Sequence, residues 1–111
     1  MLLRIDVHER DDHAVITAVG EIDAGNADEL SRAVTGVLEA GHRRVLLDFS
    51  QVTFIDSSGL AALVAAHRQA QSVQGTFAVV RPTAHTRKLI TVLGLDQLLS
   101  VYDTLEQALG E

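Results

Sequence analysis

Hydrophobic and polar residues alternate in two short segments at the start of the chain. Leu3, Ile5 and Val7 alternate with polar residues, and a second apolar segment at 14–19 follows a polar stretch at 9–12. A period of two is typical of a strand with one buried face. Because the connection is too short for a crossover, the sequence predicts an antiparallel hairpin.

Four later segments carry apolar residues at helical spacing. Asp23 is the predicted N-cap of the first helix, and Asp103 with Glu106 forms a predicted D-x-x-E capping box before the last one. Gly41 and Gly94 mark two helix ends, since glycine is favoured just after a helix. The predicted helices span about 24–40, 57–73, 82–93 and 104–109.

Apolar segments with little alternation lie between these helices, at 45–49, 77–80 and 98–102. Such segments are typical of strands that are covered on both faces. Residues 50–53 are predicted to form a short connection. Strands that alternate with helices predict a mostly parallel sheet. The expected fold is therefore one α/β domain over 1–111, with a mixed sheet, an N-terminal antiparallel hairpin and about four helices.

Composition narrows the classes of function. The chain has 9 Lys and Arg against 15 Asp and Glu, a net charge of −6, so it lacks the basic excess of a general nucleic-acid binder. It contains no cysteine, which excludes disulfides and thiolate chemistry. No apolar run approaches the roughly 20 residues of a membrane span, and a charge occurs too early for a signal peptide. A cytoplasmic location without membrane insertion is expected.

The segment 54–60 is the main candidate for function. It places Asp56, Ser57, Ser58 and Gly59 at the start of a helix, directly after a buried strand. The first N–H groups of a helix lack intrahelical partners, so Asp and Ser oxygens can accept from them and an anion is favoured there. Ser57 is therefore either a plain helix cap or a residue whose modification changes what docks at this end.

The motif F-I-D-S-S-G-L at 54–60, preceded by L-D-F-S at 47–50, resembles that of the STAS domains, the anti-sigma factor antagonists of bacteria. G-E-I-D at 20–23 and L-G-L at 93–95 match the family in the same order. The similarity covers essentially the whole chain. The core motif alone is short, but together with the further segments it becomes specific.

The resemblance implies a binding module rather than an enzyme, with no cofactor. The family's phosphoacceptor maps onto Ser57, which is phosphorylated by an anti-sigma factor that is itself an ATP-dependent serine kinase. The unphosphorylated antagonist binds that anti-sigma factor and sigma is released. A serine phosphatase then removes the phosphate and restores binding.

The resemblance also implies a partner surface around this helix start and the loop after the second strand. Alanines at helical spacing in the following helix add a predicted smooth exposed stripe, although alanine is also simply the best helix former. The predicted partner-binding residues are Glu21, Ile22, Asp23, Asp56, Ser58, Gly59, Ala62 and Ala66.

Other interpretations remain open. One is a structural STAS subunit that docks permanently on a membrane lipid transporter or a signalling scaffold. Another is a nucleotide-binding protein, although the sequence has no phosphate-binding loop. Asp48 is interpreted as structural, because the acidic neighbours and lysine of a phosphoaccepting aspartate are not evident. The five histidines show no metal-ligand spacing, and no metal site is expected.

Overall fold

The computed structural model describes residues 2–10 and 12–110. Over these residues a single sheet has the order β1-β2-β3-β4-β5. β1 pairs with β2 antiparallel, and every other neighbouring pair is parallel, which confirms the predicted fold class. The strands are β1 (Leu3–Arg10), β2 (His13–Ile22), β3 (Arg44–Ile55), β4 (Thr76–Val80) and β5 (Ser100–Tyr102).

Helices connect the strands in the predicted order, and a 3-10 turn at Leu95–Gln97 precedes β5. Gly94 has the left-handed backbone (φ 73°) that makes glycine the favoured residue where α3 ends. No helix among the described residues is long and apolar enough to cross a bilayer. The helices are α1 (Ala27–Glu39), α2 (Ser57–Ser72), α3 (Ala84–Val92) and α4 (Leu105–Leu109).

The two faces of the sheet are covered unequally. The main core lies between one face and α1, α2 and α3, with Leu30, Leu63 and Ile90 as fully buried helix residues. The other face carries a small cluster that packs under α4. Arg44 holds this short helix, since its guanidinium donates to the carbonyl oxygens of Ala108 at 2.8 Å and Leu109 at 3.2 Å.

β3 is longer than predicted. Residues 50–53 belong to it and not to a connection, so that prediction was wrong. Its register with β2 shifts between Thr17 and Val19 and again between Gly20 and Glu21, so β3 carries two extra residues as bulges. β4 pairs only with Arg44 to Asp48 of β3. The end of β3 therefore pairs with β2 and projects beyond β4.

Three predicted element ends also differ. α1 begins at Ala27 and Asn26 occupies its N-cap position, so Asp23 is not the cap. α4 is capped by Thr104, which accepts from the Gln107 N–H, so the predicted box at Asp103 is one residue early. Of the predicted loop at 9–12, residues 9 and 10 belong to β1, and position 11 lies outside the described residues.

Candidate functional site

The start of α2 is fixed by the carboxylate of Asp56. Its Oδ1 accepts from the N–H of Ser58 at 2.9 Å and from that of Gly59 at 3.1 Å. The Asp56 carbonyl accepts from the Leu60 N–H at 3.0 Å, the first bond of the helix. This arrangement satisfies N–H groups that a helix start would otherwise leave without partners. Asp56 is therefore the N-cap.

Ser57 is the first residue of α2 and is exposed. Because Asp56 is the cap, the alternative that Ser57 is a plain N-cap is wrong. Across residues 2–10 and 12–110 the Ser57 hydroxyl has no hydrogen-bond partner. Ser58 is half-buried, and it supports the helix start through its backbone N–H. The hydroxyl that a second protein can reach most easily is thus that of Ser57.

Gly59 allows α2 to pack closely on the ends of two strands. It is buried, and a Cβ at this position would lie 2.5 Å from Cγ1 of Ile55 and 2.9 Å from Cγ2 of Ile22. Ile22 is itself fully buried. Ile22 and Gly59, which were predicted among the partner-binding residues, are thus both buried in the free chain. Both residues position the helix start from beneath.

The loop between β2 and α1 lies next to this helix start, because β2 and β3 run parallel and end together. Ile22 pairs with Ile55, and the Asp56 N–H donates to the Ile22 carbonyl at 3.2 Å. Glu21 and Asp23, on either side of Ile22, are half-exposed. The structure thus brings Glu21, Asp23 and Asp56 to one edge of the sheet, as predicted.

Asn26 organises this loop, and sequence reasoning missed it. Its side chain is buried, accepts from the Asp23 N–H at 2.9 Å and donates to the Glu21 carbonyl at 2.9 Å. The Asp23 carboxylate turns back on its own loop and accepts from the Gly25 N–H at 2.9 Å. An Asn directly before the apolar stretch of α1 was the available signal, since Asn is a preferred residue at helix starts.

The site is acidic. Within the described part of the chain, none of the carboxylates of Glu21, Asp23 and Asp56 forms an ion pair with a Lys, Arg or His side chain. No cluster of three or more metal-ligating side chains occurs among the same residues. The charge at this edge is therefore available to a partner and is not neutralised within the chain.

The face of α2 that exposes alanines is not the face that was predicted. Ala62 and Ala66 are 7% and 2% exposed and belong to the core, so the prediction that they form an exposed partner stripe is wrong. The exposed alanines are Ala61 and Ala65, which follow Ser57 at intervals of four residues. With residues of α1 they line an open groove of about 830 Å³: Ser31, Thr35, Ala61, Val64, Ala65, Arg68, Gln69 and Ser72.

Gln69 links the two walls of this groove. Its side-chain amide donates to the Thr35 hydroxyl at 2.6 Å, which joins α2 to α1. Several of the lining side chains are short, among them those of Ala61 and Ala65. Ser57 lies one turn before Ala61, so its position is on the same side of α2 as the groove.

Asp48 lies apart from this site and has a structural role, as expected. Its buried carboxylate accepts from the Ser50 N–H at 3.0 Å and pairs with the Arg81 guanidinium. Burial acts to raise the pKa of Asp48, but the hydrogen bonds from Arg81 and Ser50 outweigh it and hold this pKa below its ordinary value of 3.8. Arg81 has a left-handed backbone (φ 54°), and its N–H donates to the Tyr102 carbonyl at 2.8 Å, which joins β4 to β5.

An α/β domain with an exposed serine, an acidic strand edge and a flanking groove defines a protein-binding module. The family model described as "STAS domain" matches residues 4–108, and the chain belongs to this family, which confirms the resemblance. Several of its relatives are named as anti-sigma factor antagonists, which are regulatory binding proteins rather than enzymes.

Two relatives and one solved structure illustrate the similarity. The anti-sigma-F factor antagonist RsfB of Mycobacterium tuberculosis is 33% identical over 108 residues, 96% of this chain and 87% of that protein. The anti-sigma-B factor antagonist of Listeria monocytogenes is 29% identical over 103 residues, 91% of this chain and 90% of that protein. The crystal structure of an anti-sigma factor antagonist from Mycobacterium paratuberculosis aligns with a TM-score of 0.86 at 33% identity, covering 98% of this chain and 92% of that one.

Proposed function

We propose that this chain is an anti-sigma factor antagonist and that phosphorylation of Ser57 switches it off. The observation that carries the proposal is the exposed Ser57 hydroxyl, which has no partner within the described chain and stands at a helix start fixed by Asp56. The similarity to antagonists at 33% identity over nearly the whole chain supports the same function.

The partner of the unphosphorylated form is an anti-sigma factor that is also a serine kinase, and its binding frees the sigma factor. Glu21, Asp23 and Asp56 offer unpaired carboxylates to cationic groups of this partner, with Ser58 beside them. The contact continues into the groove, where the exposed Ala61 and Ala65 replace Ala62 and Ala66 as the proposed contacts. Binding therefore depends on charge at the strand ends and on close approach along α2.

A phosphate on Ser57 changes binding much more than stability. It adds about −1.5 to −2 charges, and Asp56 already occupies the N–H groups of Ser58 and Gly59. The attraction of a helix start for an anion is only about 0.3 to 1 kcal/mol, and repulsion by Asp56 opposes it. An interface that forms around the neutral Ser57 hydroxyl would have to bury a dianion once this residue is phosphorylated, which is strongly unfavourable. A serine phosphatase reverses the change.

The phosphorylation step is tested with an anti-sigma factor kinase purified from the source organism, ATP and three forms of the chain. Wild type and Ser58→Ala should incorporate one phosphate, located on Ser57 by peptide mass spectrometry. Ser57→Ala should incorporate none. Ser58→Ala is the matched control, because it removes the neighbouring hydroxyl and leaves the Asp56 cap in place. Phosphate on Ser58, or no incorporation with any purified kinase of this class, contradicts the proposal.

The binding step is tested by isothermal titration of the same kinase with wild type and with Ser57→Asp. We expect Ser57→Asp to bind at least about tenfold more weakly, because it adds a permanent charge to the interface. Equal binding of both forms would instead favour a subunit that docks permanently, for example on a transporter or a scaffold. Thermal melting of both forms should agree within a few degrees.

A further inference from the structure

β1 is the outermost strand of the sheet, and its outer edge has no partner strand among the described residues. It is eight residues long, contains no proline, and keeps one register with β2 from Leu3 opposite Gly20 to Arg10 opposite His13. A long regular edge with unpaired N–H and C=O groups is a template for another strand.

The backbone groups that face outward follow from one hydrogen bond. The Glu21 N–H of β2 donates to the Leu2 carbonyl, so residue 2 directs its backbone towards β2. Because this direction alternates in an antiparallel pair, the other even-numbered residues also bond to β2. The odd-numbered residues Leu3, Ile5 and Val7 therefore present their N–H and C=O groups at the free edge.

We propose that β1 pairs antiparallel with β1 of a second copy of this chain, with the two-fold axis at Ile5. Ile5 then lies opposite the partner's Ile5, and Leu3 lies opposite the partner's Val7. Leu3, Ile5 and Val7 all exchange backbone hydrogen bonds with the partner strand in this register. Arg4 lies opposite the partner's Asp6, and the symmetry repeats this ion pair.

Charge selects this register over its neighbours. Arg4 and Asp6 are 71% and 52% exposed and form a 3.4 Å ion pair within one chain, so both are on the same face and exposed enough to reach a partner strand. An axis at Asp6 places two Asp6 carboxylates opposite each other. An axis at Val7 places Arg4 opposite the partner's Arg10. Like charges directly opposite each other destabilise a strand pair, whereas opposite charges stabilise it.

The apolar side of the strand agrees with the same register. Leu3 and Ile5 pack partly on the core, while Val7 remains 40% exposed. In the paired form Val7 is covered by the partner's Leu3. The contact is isologous and closes on itself, which joins two sheets into one of ten strands. Since it is one strand wide, a weak and concentration-dependent dimer is expected.

The test is sedimentation velocity of the full chain over a concentration series, and it does not depend on the proposed function. Wild type should shift from monomer to dimer as concentration rises. Arg4→Asp and Asp6→Arg should each weaken the dimer by about tenfold, because each places like charges opposite each other twice. The double variant, with both charges exchanged, should recover the wild-type dimer.

Arg10→Asp is the matched control, because it makes the same charge change on the same strand but lies outside the Leu3 to Val7 stretch that pairs in this register. It should leave the dimer unchanged, whereas an axis at Val7 predicts a stronger dimer. Circular dichroism checks that every variant is folded. A wild type that stays monomeric throughout the series, a dimer that ignores both single changes, or a double variant without recovery overturns the proposal.

Discussion

The side-chain amide of Asn26 donates a 2.9 Å hydrogen bond to the carbonyl oxygen of Glu21. The same side chain accepts from the Asp23 N–H at 2.9 Å, so one buried residue holds the backbone on both sides of Ile22. These two bonds tie the acidic segment beside Ser57 to the start of α1.

Replacing Asn26 should loosen this loop. Asn26→Ala leaves the part-buried Glu21 carbonyl and Asp23 N–H without this partner, and we expect a loss of about 1 to 3 kcal/mol in the free energy of unfolding. Urea unfolding measures it. Asn26→Asp keeps the acceptor for the Asp23 N–H but turns a carboxylate oxygen towards the Glu21 carbonyl, so it should also be destabilising. If Asn26→Ala costs no more than Asp28→Ala, an exposed change in the same helix, the assigned role of Asn26 is wrong.

The Asp56 side chain both caps α2 and carries a negative charge. Two substitutions separate these two effects on stability. Asp56→Ala removes the acceptor of the Ser58 and Gly59 N–H groups and should cost about 0.5 to 2 kcal/mol. Asp56→Asn keeps a capping oxygen and should cost much less, because Asn and Asp cap helices about equally well. Denaturant unfolding compares the two. Equal losses would show that the charge, rather than the cap, supports the helix start.

Two helical glycines should respond in opposite directions to alanine. Gly59→Ala places a methyl group against the Ile55 and Ile22 side chains and should destabilise by about 1 to 3 kcal/mol. Gly36→Ala in α1 meets no atom within 4 Å and should stabilise by up to about 1 kcal/mol. Thermal melting of both variants checks the contrast. A stabilising Gly59→Ala would mean that α2 does not pack this closely on the strand ends.

The pair of Asp48 and Arg81 should shape acid stability. The pKa of Asp48 is lower in the folded chain than its ordinary 3.8, so the folded state binds fewer protons than the unfolded state. The stability that the ionised Asp48 adds to the fold is fully present above pH 3.8. It is lost as the pH falls through the lower pKa of the folded state. Asp48→Asn should remove that part of the pH dependence.

Removing the cation should reduce the stability that Asp48 contributes. In Arg81→Met the burial of Asp48 is opposed only by the hydrogen bonds from Ser50, so the pKa of Asp48 should be higher than in wild type. The variant should then lose less of its stability in acid than wild type does. Urea unfolding at a series of pH values measures both variants. If the free energy of unfolding of Arg81→Met fell in acid as much as that of wild type, this role of the pair would be ruled out.

The groove beside α2 predicts that substitutions at two neighbouring alanines have different effects on binding and on folding. Ala65→Arg places a long side chain at an exposed position of the groove, so it should weaken kinase binding at least about tenfold with little effect on unfolding. Ala66→Arg should unfold the domain, because Ala66 is buried. Calorimetric titration measures the binding. Ala84→Arg, at an exposed alanine outside the groove, is the control and should bind normally.

The element order and the sheet were predictable because their apolar residues keep a clear period. The end of β3 was not, since its two bulges interrupt the alternation and leave Val52 and Ile55 buried three residues apart. Such a pattern resembles a loop unless the register of the neighbouring strand is known.

The site was predictable where the chemistry is local and unpredictable where it depends on packing. Asp56 and Ser57 stand out in sequence because a carboxylate and a hydroxyl suit a helix start. Alanine carries no such signal: Ala65 and Ala66 are adjacent and identical, yet only one is exposed. Asn26 and Asp23 both favour helix starts, and only the tertiary contact with Glu21 decides between them.

The cap formed by Asp56 has a consequence for protein turnover. Because the start of α2 is complete without Ser57, the phosphorylated and unphosphorylated forms should unfold to the same extent and be degraded at the same rate. If Ser57 is phosphorylated as proposed, the total amount of the protein should stay constant while the signal changes. The ratio of the two forms would then record the rates of the proposed kinase and phosphatase.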